Sequence, residues 1–239
     1  MLAIYSKEMR SYFATSIGYI FLACSLVVSA IIFSITTVFS STADTSLFFS
    51  GMIFVLMLFL PVLTMKTFSE EKRTKTEQLL LTSPVSTTQM VLGKFFSAFT
   101  MLAIFLLLTS TFILPLNAYV ATDSSGPNVA LVMGNYLALL LVGMCIIAIG
   151  VFVSSLTENQ FAAIVVTVVI LLLLFLMSLF NSMIGSYAVR VVLDWLSIYS
   201  RYEAFTYGVL DISALFYYLS MAGVFIFLTV RVFESRKYN

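Results

Sequence analysis

The sequence predicts an all-α, polytopic membrane protein with six transmembrane helices. The chain has 239 residues, of which 61% are apolar and 10% charged, and its mean hydropathy of +1.09 is far from that of a soluble domain. The apolar residues fall into six stretches of roughly 17–25 residues, the length that a helix needs to cross the hydrocarbon core. Continuous apolar runs of this length indicate helices, because hydrocarbon offers no hydrogen-bond partner to an open backbone.

The first element is an amphipathic segment, 1–15. Its aromatic and aliphatic residues recur at helical spacing, while Lys7, Glu8 and Arg10 lie on other faces. A basic helix with an aromatic-rich face tends to lie flat in the headgroup region of a membrane. We therefore expect a helix along the membrane surface, with a frayed terminus as the alternative.

Six apolar spans follow this segment. They are predicted at 17–39, 47–64, 91–116, 132–154, 160–181 and 213–231. The second contains Pro61 near its end, where the missing N–H group kinks a helix in a way that a polytopic bundle can accommodate. Lys94 lies near the start of the third, and we interpret it as a snorkelling residue whose long side chain reaches the polar edge of the membrane.

The basic residues predict how the spans are oriented. With the spans in this order, ten of the twelve Lys and Arg residues lie on one side, and only Arg190 and Arg201 lie on the other. Connections on the cytoplasmic side carry the excess of Lys and Arg. We therefore expect both termini and the connections 66–90 and 154–160 to be cytoplasmic.

Capping boxes predict where three helices begin, since a Ser or Thr three residues before Glu or Gln can satisfy the first N–H groups of a helix. The pairs are Thr74 with Glu77, Ser86 with Gln89, and Thr157 with Gln160. The first would open a short apolar helix at 78–81, which Pro84 ends because the residue before a proline avoids the α conformation. The Ser86–Gln89 pair would open the third span, and the Thr157–Gln160 pair would open the fifth span.

The connection 66–90 is expected to present a partner surface. Its short helix carries three consecutive leucines, which cannot all face one direction. Part of the helix should therefore pack on the bundle, and part should point outward. An exposed apolar patch with a charged rim usually marks the binding surface for a partner. A helix that lies on lipid is the alternative.

The segment 182–212, on the other side, predicts one or two amphipathic helices. Its aromatic and aliphatic residues repeat at steps of three and four, and aromatic side chains suit the membrane interface. The candidates for an outer cap or a substrate exit are Tyr187, Trp195, Tyr199, Arg201, Tyr202 and Phe205. Lining an exit and simple packing as a cap are equal alternatives.

Several classes of chemistry are excluded by the residue types present. There is no histidine, which removes the commonest general base and the usual zinc ligand. Cys24 and Cys145 lie inside separate spans and make neither a disulfide framework nor a metal site. No Asp or Glu lies in the central part of a span, where the proton relays of secondary transporters are found. We expect no catalytic residue, no metal and no cofactor bound by this chain, and no nucleic acid as partner.

The connection 66–90 also resembles the signature of a known family. Residues 68–86 read FSEEKRTKTEQLLLTSPVS, and VLGKF follows at 91–95. This is similar to ABC-2-type transporter permeases, which commonly read E-E-K-x-x-G-T-x-E-x-L-L-x-x-P-[VL]-S before a helix with G-K-F. Lys75 stands where glycine is usual. The similarity continues in SSLTENQ at 154–160 and in RYEAFTYGVLD at 201–211, which also resembles gliding-motility-associated permeases.

The resemblance implies an elbow helix at 1–15, a coupling helix in the 66–90 connection and re-entrant outer helices at 182–212. It implies that the coupling helix docks on a separate ATP-binding subunit. The coupling interface would then comprise Glu70, Glu71, Lys72, Glu77, Leu79, Leu80, Leu81, Pro84, Val85, Ser86 and Glu158. ATP and magnesium would belong to that subunit.

The expected function is therefore that of the permease subunit of an ATP-driven exporter with an unidentified substrate, in a bacterial inner membrane. The expected partners are two ATP-binding subunits, a second copy of this permease or a related one, and the lipid bilayer. An accessory membrane protein with an extracytoplasmic domain is a further candidate. The alternatives are an ion-gradient transporter or channel, and a scaffold that recruits a cytoplasmic protein without transport.

Overall fold

The described part of the chain is helical throughout. The computed structural model describes residues 1–39, 45–76, 86–113, 129–181, 190, 193, 195, 197–209 and 211–238. These residues form nine α-helices: α1 (Leu2–Ala14), α2 (Ser16–Phe33), α3 (Ser46–Thr64), α4 (Lys66–Arg73), α5 (Thr87–Ser110), α6 (Val129–Leu156), α7 (Gln160–Asn181), α8 (Ile198–Thr206) and α9 (Ile212–Tyr238). A π-helical turn, Ser34–Val38, extends α2, and a 3-10 turn, Thr111–Ile113, extends α5. No strand occurs among them, which confirms the all-α prediction.

Six stretches are long and apolar enough to cross a membrane. They are Ser16–Val38, Ser46–Arg73, Thr87–Ile113, Val129–Leu156, Gln160–Ser178 and Ile212–Lys237. By length and composition they confirm the predicted polytopic membrane protein. Helix α9 continues beyond its predicted end at 231, where Arg231 forms an ion pair with Glu234 one turn later, at 2.9 Å. Pairs at this spacing support an exposed helix.

Helix α6 forms the centre of the bundle. It packs against α3, α4, α5, α7, α8 and α9. Of its apolar span 78% is buried, compared with 28% for the span that begins with α2 and 17% for α7. A helix that is apolar all round belongs in a core or a membrane, and α6 is enclosed because its neighbours cover it on every side. The apolar faces of α2 and α7 remain exposed.

Two glycines bring α6 close to its neighbours. A Cβ atom on Gly150 would lie 2.2 Å from Thr64 Oγ1 of α3, and one on Gly143 would lie 2.4 Å from Leu102 Cδ2 of α5. Small residues at such positions let helix backbones approach, which is how helices associate where no water drives them together. The close fit of α3 and α5 against α6 therefore depends on glycine, which has no side chain, at positions 143 and 150.

Helix α8 is held by buried tyrosines at one end of the bundle. The Tyr202 hydroxyl lies 3.2 Å from the carbonyl oxygen of Phe49 and 3.3 Å from Asn135 Oδ1, and it can donate to either. The Tyr218 hydroxyl donates to the carbonyl of Ile198 at 2.7 Å. Buried tyrosines need such partners. They fix the short helix against α3, α6 and α9.

Candidate coupling site at the basic end of the bundle

The opposite end of the bundle gathers α1, α4, the start of α5 and the last turns of α6 and α9. Lys72 Nζ donates to the carbonyl of Leu156 at 3.4 Å, and Arg236 Nη2 donates to the carbonyl of Ser155 at 2.9 Å. Cations near a helix C-terminus satisfy its free carbonyls and stabilise its dipole. Basic side chains of α4 and α9 therefore meet at the end of α6, and we call this region the basic end.

Lys94 is buried in an ion cluster at the basic end, so its interpretation as a snorkelling residue is wrong. Only 1% of its side chain is exposed, and Nζ lies 2.7 Å from Glu71 Oε2 and 3.3 Å from Glu8 Oε1. It also donates to the carbonyl of Thr67 and lies 4.6 Å from the centre of the Phe68 ring. Because α1 and α4 close over the start of α5, the ammonium meets two carboxylates before it can reach the membrane surface.

The Lys94 cluster links three helices that are far apart in sequence. Glu8 comes from α1, Glu71 from α4 and Lys94 from α5, and Lys7 adds a second ion pair to Glu71 at 3.4 Å. Burial raises the pKa of the neighbouring Tyr12 phenol, and the carboxylate of Glu8 adds to this shift. The phenol is therefore neutral at physiological pH and contributes no charge to the cluster.

A polar pocket of about 230 Å³ adjoins this cluster. Its lining residues are Lys7, Glu8, Ser11, Lys66, Thr67, Glu70, Glu71, Thr74, Thr76 and Lys94. The pocket has three ammonium and three carboxylate groups, and these form ion pairs, such as the 3.3 Å contact of Lys66 with Glu70 along α4. Such a balanced lining favours neither an anion nor a cation. Within the described ranges no group of three or more His, Cys, Asp or Glu could hold a metal ion.

The predicted coupling residues divide into three groups. Glu70, Glu71 and Lys72 lie on α4, and Glu71, 13% exposed, faces the Lys94 cluster. Glu158 is exposed in the short turn between α6 and α7, and Ser86 precedes α5. The remaining candidates, together with the predicted helix 78–81, lie outside the described residues: Glu77, Leu79, Leu80, Leu81, Pro84 and Val85.

The predicted cap at Ser86 is confirmed, whereas Glu77, the partner of Thr74 in the predicted box, lies outside the described residues. Ser86 Oγ accepts from the N–H of Gln89 at 3.3 Å, one residue before α5 begins. Thr74 instead ends α4, where its N–H and its hydroxyl donate to the carbonyl of Glu70 at 2.9 and 2.8 Å. Helix α4 follows α3 after Met65, so Thr74 lies at the end of a helix, and the helix predicted at 78–81 lies outside the described residues.

The third capping-box prediction, at Thr157, is wrong. The Thr157 hydroxyl donates back to the carbonyl of Val153 at 3.2 Å, within the last turn of α6. Asn159 caps α7 instead, with Oδ1 accepting from the N–H of Phe161 at 2.9 Å. Asparagine is a strong N-cap residue. Asn159 is the N-cap of α7 because it lies next to the first helical residue, while the Thr157 hydroxyl is already bonded within α6.

Lys75 adopts a left-handed backbone conformation, with φ of 56°. The resembled signature has glycine at this position, and glycine enters this region without the steric cost that a Cβ atom brings. We expect Lys75→Gly to raise the free energy of unfolding by about 1 kcal/mol. Thermal unfolding in detergent would measure it. Lys75→Ala removes the charge but keeps Cβ, so an equal gain in that control would contradict the backbone explanation.

The outer-cap candidates lie at the opposite end, around α8. Tyr202 and Phe205 are buried and pack against the bundle, whereas Trp195 is exposed. Tyr199 packs edge-on against Phe175, with ring centres 4.9 Å apart. The guanidinium of Arg201 lies 4.9 Å from the Tyr217 ring centre, and Nη1 donates to Ser213 Oγ at 3.0 Å. Tyr187 lies outside the described residues. An exit lined by these side chains stays a prediction.

Sequence reasoning missed Ser154, which lies inside α6 and is fully buried. Its hydroxyl forms hydrogen bonds with the backbone at the junction of α3 and α4. The signal that could have found it is the spacing of Gly150 and Ser154, two small residues one turn apart on the same face of α6. That pattern predicts close contact with another helix.

These features define a class of protein: a multi-pass helical membrane protein with a charged, tightly linked end. A family model described as ABC-2 family transporter protein matches residues 29–233. The chain therefore belongs to the ABC-2 transporter family, whose members are permeases, the membrane components of ABC-type transporters. No curated protein matches the chain. The predicted resemblance to ABC-2-type permeases is confirmed, and the gliding-motility likeness stays a prediction.

Proposed function

We propose that this chain is the permease subunit of an ATP-driven exporter, and that a separate ATP-binding subunit supplies the energy. The observation that supports this best is the linkage of α4, which leads directly into the 77–85 signature segment. Helix α4 is bonded to α1 and α5 through Glu71, to α6 through Lys72, and to α9 through contact of the Phe68 and Phe233 rings at 4.6 Å. A force applied to the segment would therefore reach several spans at once.

We infer that the basic end faces the cytoplasm of a bacterial cell. The excess of Lys and Arg on this side supports the assignment. Both termini and the 77–85 segment would then lie where ATP is available. Two ATP-binding subunits, each holding ATP and magnesium, would serve two permease copies. The exposed apolar faces of α2, α7 and α9 are surfaces available for lipid or for the second copy.

The proposed mechanism is mechanical. When ATP draws the two ATP-binding subunits together, the docked 77–85 segments move, and α4 carries that movement to the spans. A partner can shift such an equilibrium only by the difference in its affinity for the two permease states. Nothing in this scheme requires a catalytic group in this chain.

The test is to place a charge in the proposed contact. We expect Leu80→Asp to abolish copurification of the ATP-binding subunit or its stimulated ATP turnover, because burying an unpaired charge costs several kcal/mol. Glu77→Ala should weaken the same contact. Both variants should still insert in the membrane, since the changes lie outside the apolar spans.

A matched control is Ser235→Asp, which adds the same charge to an exposed position near the end of α9. It should leave copurification and ATP turnover unchanged. Wild-type complex formation and ATP turnover in both Leu80→Asp and Glu77→Ala would show that the 77–85 segment is not the coupling surface.

A further inference from the structure

We propose that Ser154 is a positioning residue that sets the angle between α3 and α4 and joins the two connections of the basic end into one moving unit. This inference rests on the proposed function, because it concerns how movement of the 77–85 segment reaches the spans. Nothing in the 154–160 motif, read as sequence, assigns this role to the serine. It follows from the hydrogen bonds of one buried hydroxyl.

The junction of α3 and α4 lacks a cap of its own. The two helices meet at Met65, whose N–H donates to the carbonyl of Pro61 at 2.9 Å. Met65 holds the N-cap position of α4, but its thioether side chain makes no capping hydrogen bond. The first N–H groups of any α-helix have no partner within the helix. Because Phe68 and Ser69 are buried, water cannot supply the acceptor for their N–H groups.

Ser154 supplies that cap from a different helix. Its Oγ accepts from the N–H groups of Phe68 and Ser69, each at 3.1 Å, and donates to the carbonyl of Met65 at 3.0 Å. A serine hydroxyl has one hydrogen and two acceptor lone pairs, so these three bonds use its full capacity. The Ser69 hydroxyl donates in turn to the carbonyl of Ser154 at 3.2 Å. The pattern matches an N-cap serine, except that the side chain comes from α6.

Neighbouring contacts make this cap a mechanical joint. Gly150, one turn before Ser154, lets the α3 backbone approach at Thr64. A side chain inserted in the hydrogen-bond ladder is a recognised cause of helix bending. Directly after Ser154, the carbonyl of Ser155 accepts a hydrogen bond from Arg236 of α9, and the carbonyl of Leu156 accepts one from Lys72 of α4. A change in the direction of α4 must therefore either move the end of α6 or break the bonds of Ser154.

The experiment compares two serines that are adjacent and equally buried. Ser155 is the matched control, because its hydroxyl donates only within its own helix, to the carbonyl of Phe152 at 2.6 Å. Spin labels at positions 73 and 235, both exposed, report the distance between α4 and α9 in a chain whose two native cysteines are replaced. ATP turnover is measured on the complex with the copurified ATP-binding subunit.

We expect Ser154→Ala to broaden or shift the 73–235 distance distribution and to lower stimulated ATP turnover about fivefold, the effect of losing one net hydrogen bond in a two-state equilibrium. Ser155→Ala should change neither. If the alanine variant does not accumulate, Ser154→Cys gives the same comparison by ATP turnover, because a thiol keeps the volume but accepts hydrogen bonds weakly.

The outcomes separate the two proposals. Wild-type distances and turnover in Ser154→Ala would overturn the role of Ser154 while leaving the exporter assignment intact. Absence of any bound or stimulated ATP-binding subunit in the wild type would overturn the exporter assignment. In that case a changed distance distribution, specific to Ser154→Ala, would still establish that the hydroxyl positions α4.

Discussion

Replacing Lys94 by methionine should lower the free energy of unfolding by about 3 kcal/mol, because removing one partner of a buried ion pair leaves an uncompensated charge. Here Glu8 would lose its ion pair, and Glu71 would keep only its pair with the exposed Lys7; both carboxylates lie within 3.3 Å of Nζ, and each is only 13% exposed. Methionine keeps most of the unbranched stem of lysine, so the loss would mainly reflect charge. Thermal unfolding of the purified protein in detergent would measure it.

The matched control is Lys7→Met, the same substitution in the same cluster. The side chain of Lys7 is 61% exposed and lies 3.4 Å from Glu71. Exposed ion pairs contribute about 0–1 kcal/mol. A double variant, Lys94→Met with Glu8→Gln, should recover part of the stability, because it removes the carboxylate that has lost its ion pair. Equal stability of Lys94→Met and the wild type would show that the cluster does not hold α1, α4 and α5 together.

Hydropathy predicts the spans because the membrane imposes a single requirement on them. A helix must be about 20 residues long and apolar to cross it, and that can be read directly from the chain. The ends of the spans follow different rules. Helix α4 continues the second span past its apolar limit, because Ser154 caps its first turn and Lys66 pairs with Glu70 along it. The sequence around α4 does not indicate that a cap is present or that α6 provides it.

The errors in the candidate site have the same origin. Lys94 has the position of a snorkelling lysine, and only the return of α1 over α5 shows that Glu8 reaches it first. Thr157 fits a capping box, yet a threonine hydroxyl bonds equally well to the carbonyl four residues earlier. Which bond forms is decided by whether a helix ends or begins there. Local patterns predicted the residue types at the site, but long-range packing determined their partners.

Close packing of α3 on α6 leads to the second large expected effect, which concerns Gly150. A Cβ atom at this position would lie 2.2 Å from Thr64 Oγ1 and 3.0 Å from Thr64 Cβ. Contacts this short require α3 or α6 to move, and extra atoms in a well-packed core typically cost 1–3 kcal/mol. We expect Gly150→Leu to cost about 3 kcal/mol of unfolding free energy, at the upper end of that range.

Gly223→Leu is the control, because a Cβ on Gly223 of α9 meets nothing within 4 Å. Leucine favours a helix over glycine by roughly 1 kcal/mol, so this variant should be neutral or more stable. The two substitutions should therefore have effects of opposite sign in thermal unfolding. Since Gly150 lies one turn from Ser154, separating α3 from α6 would also break the cap of α4, and Gly150→Leu should reduce stimulated ATP turnover even where it folds. Equal stability of the two leucine variants would show that α3 and α6 tolerate a wider spacing.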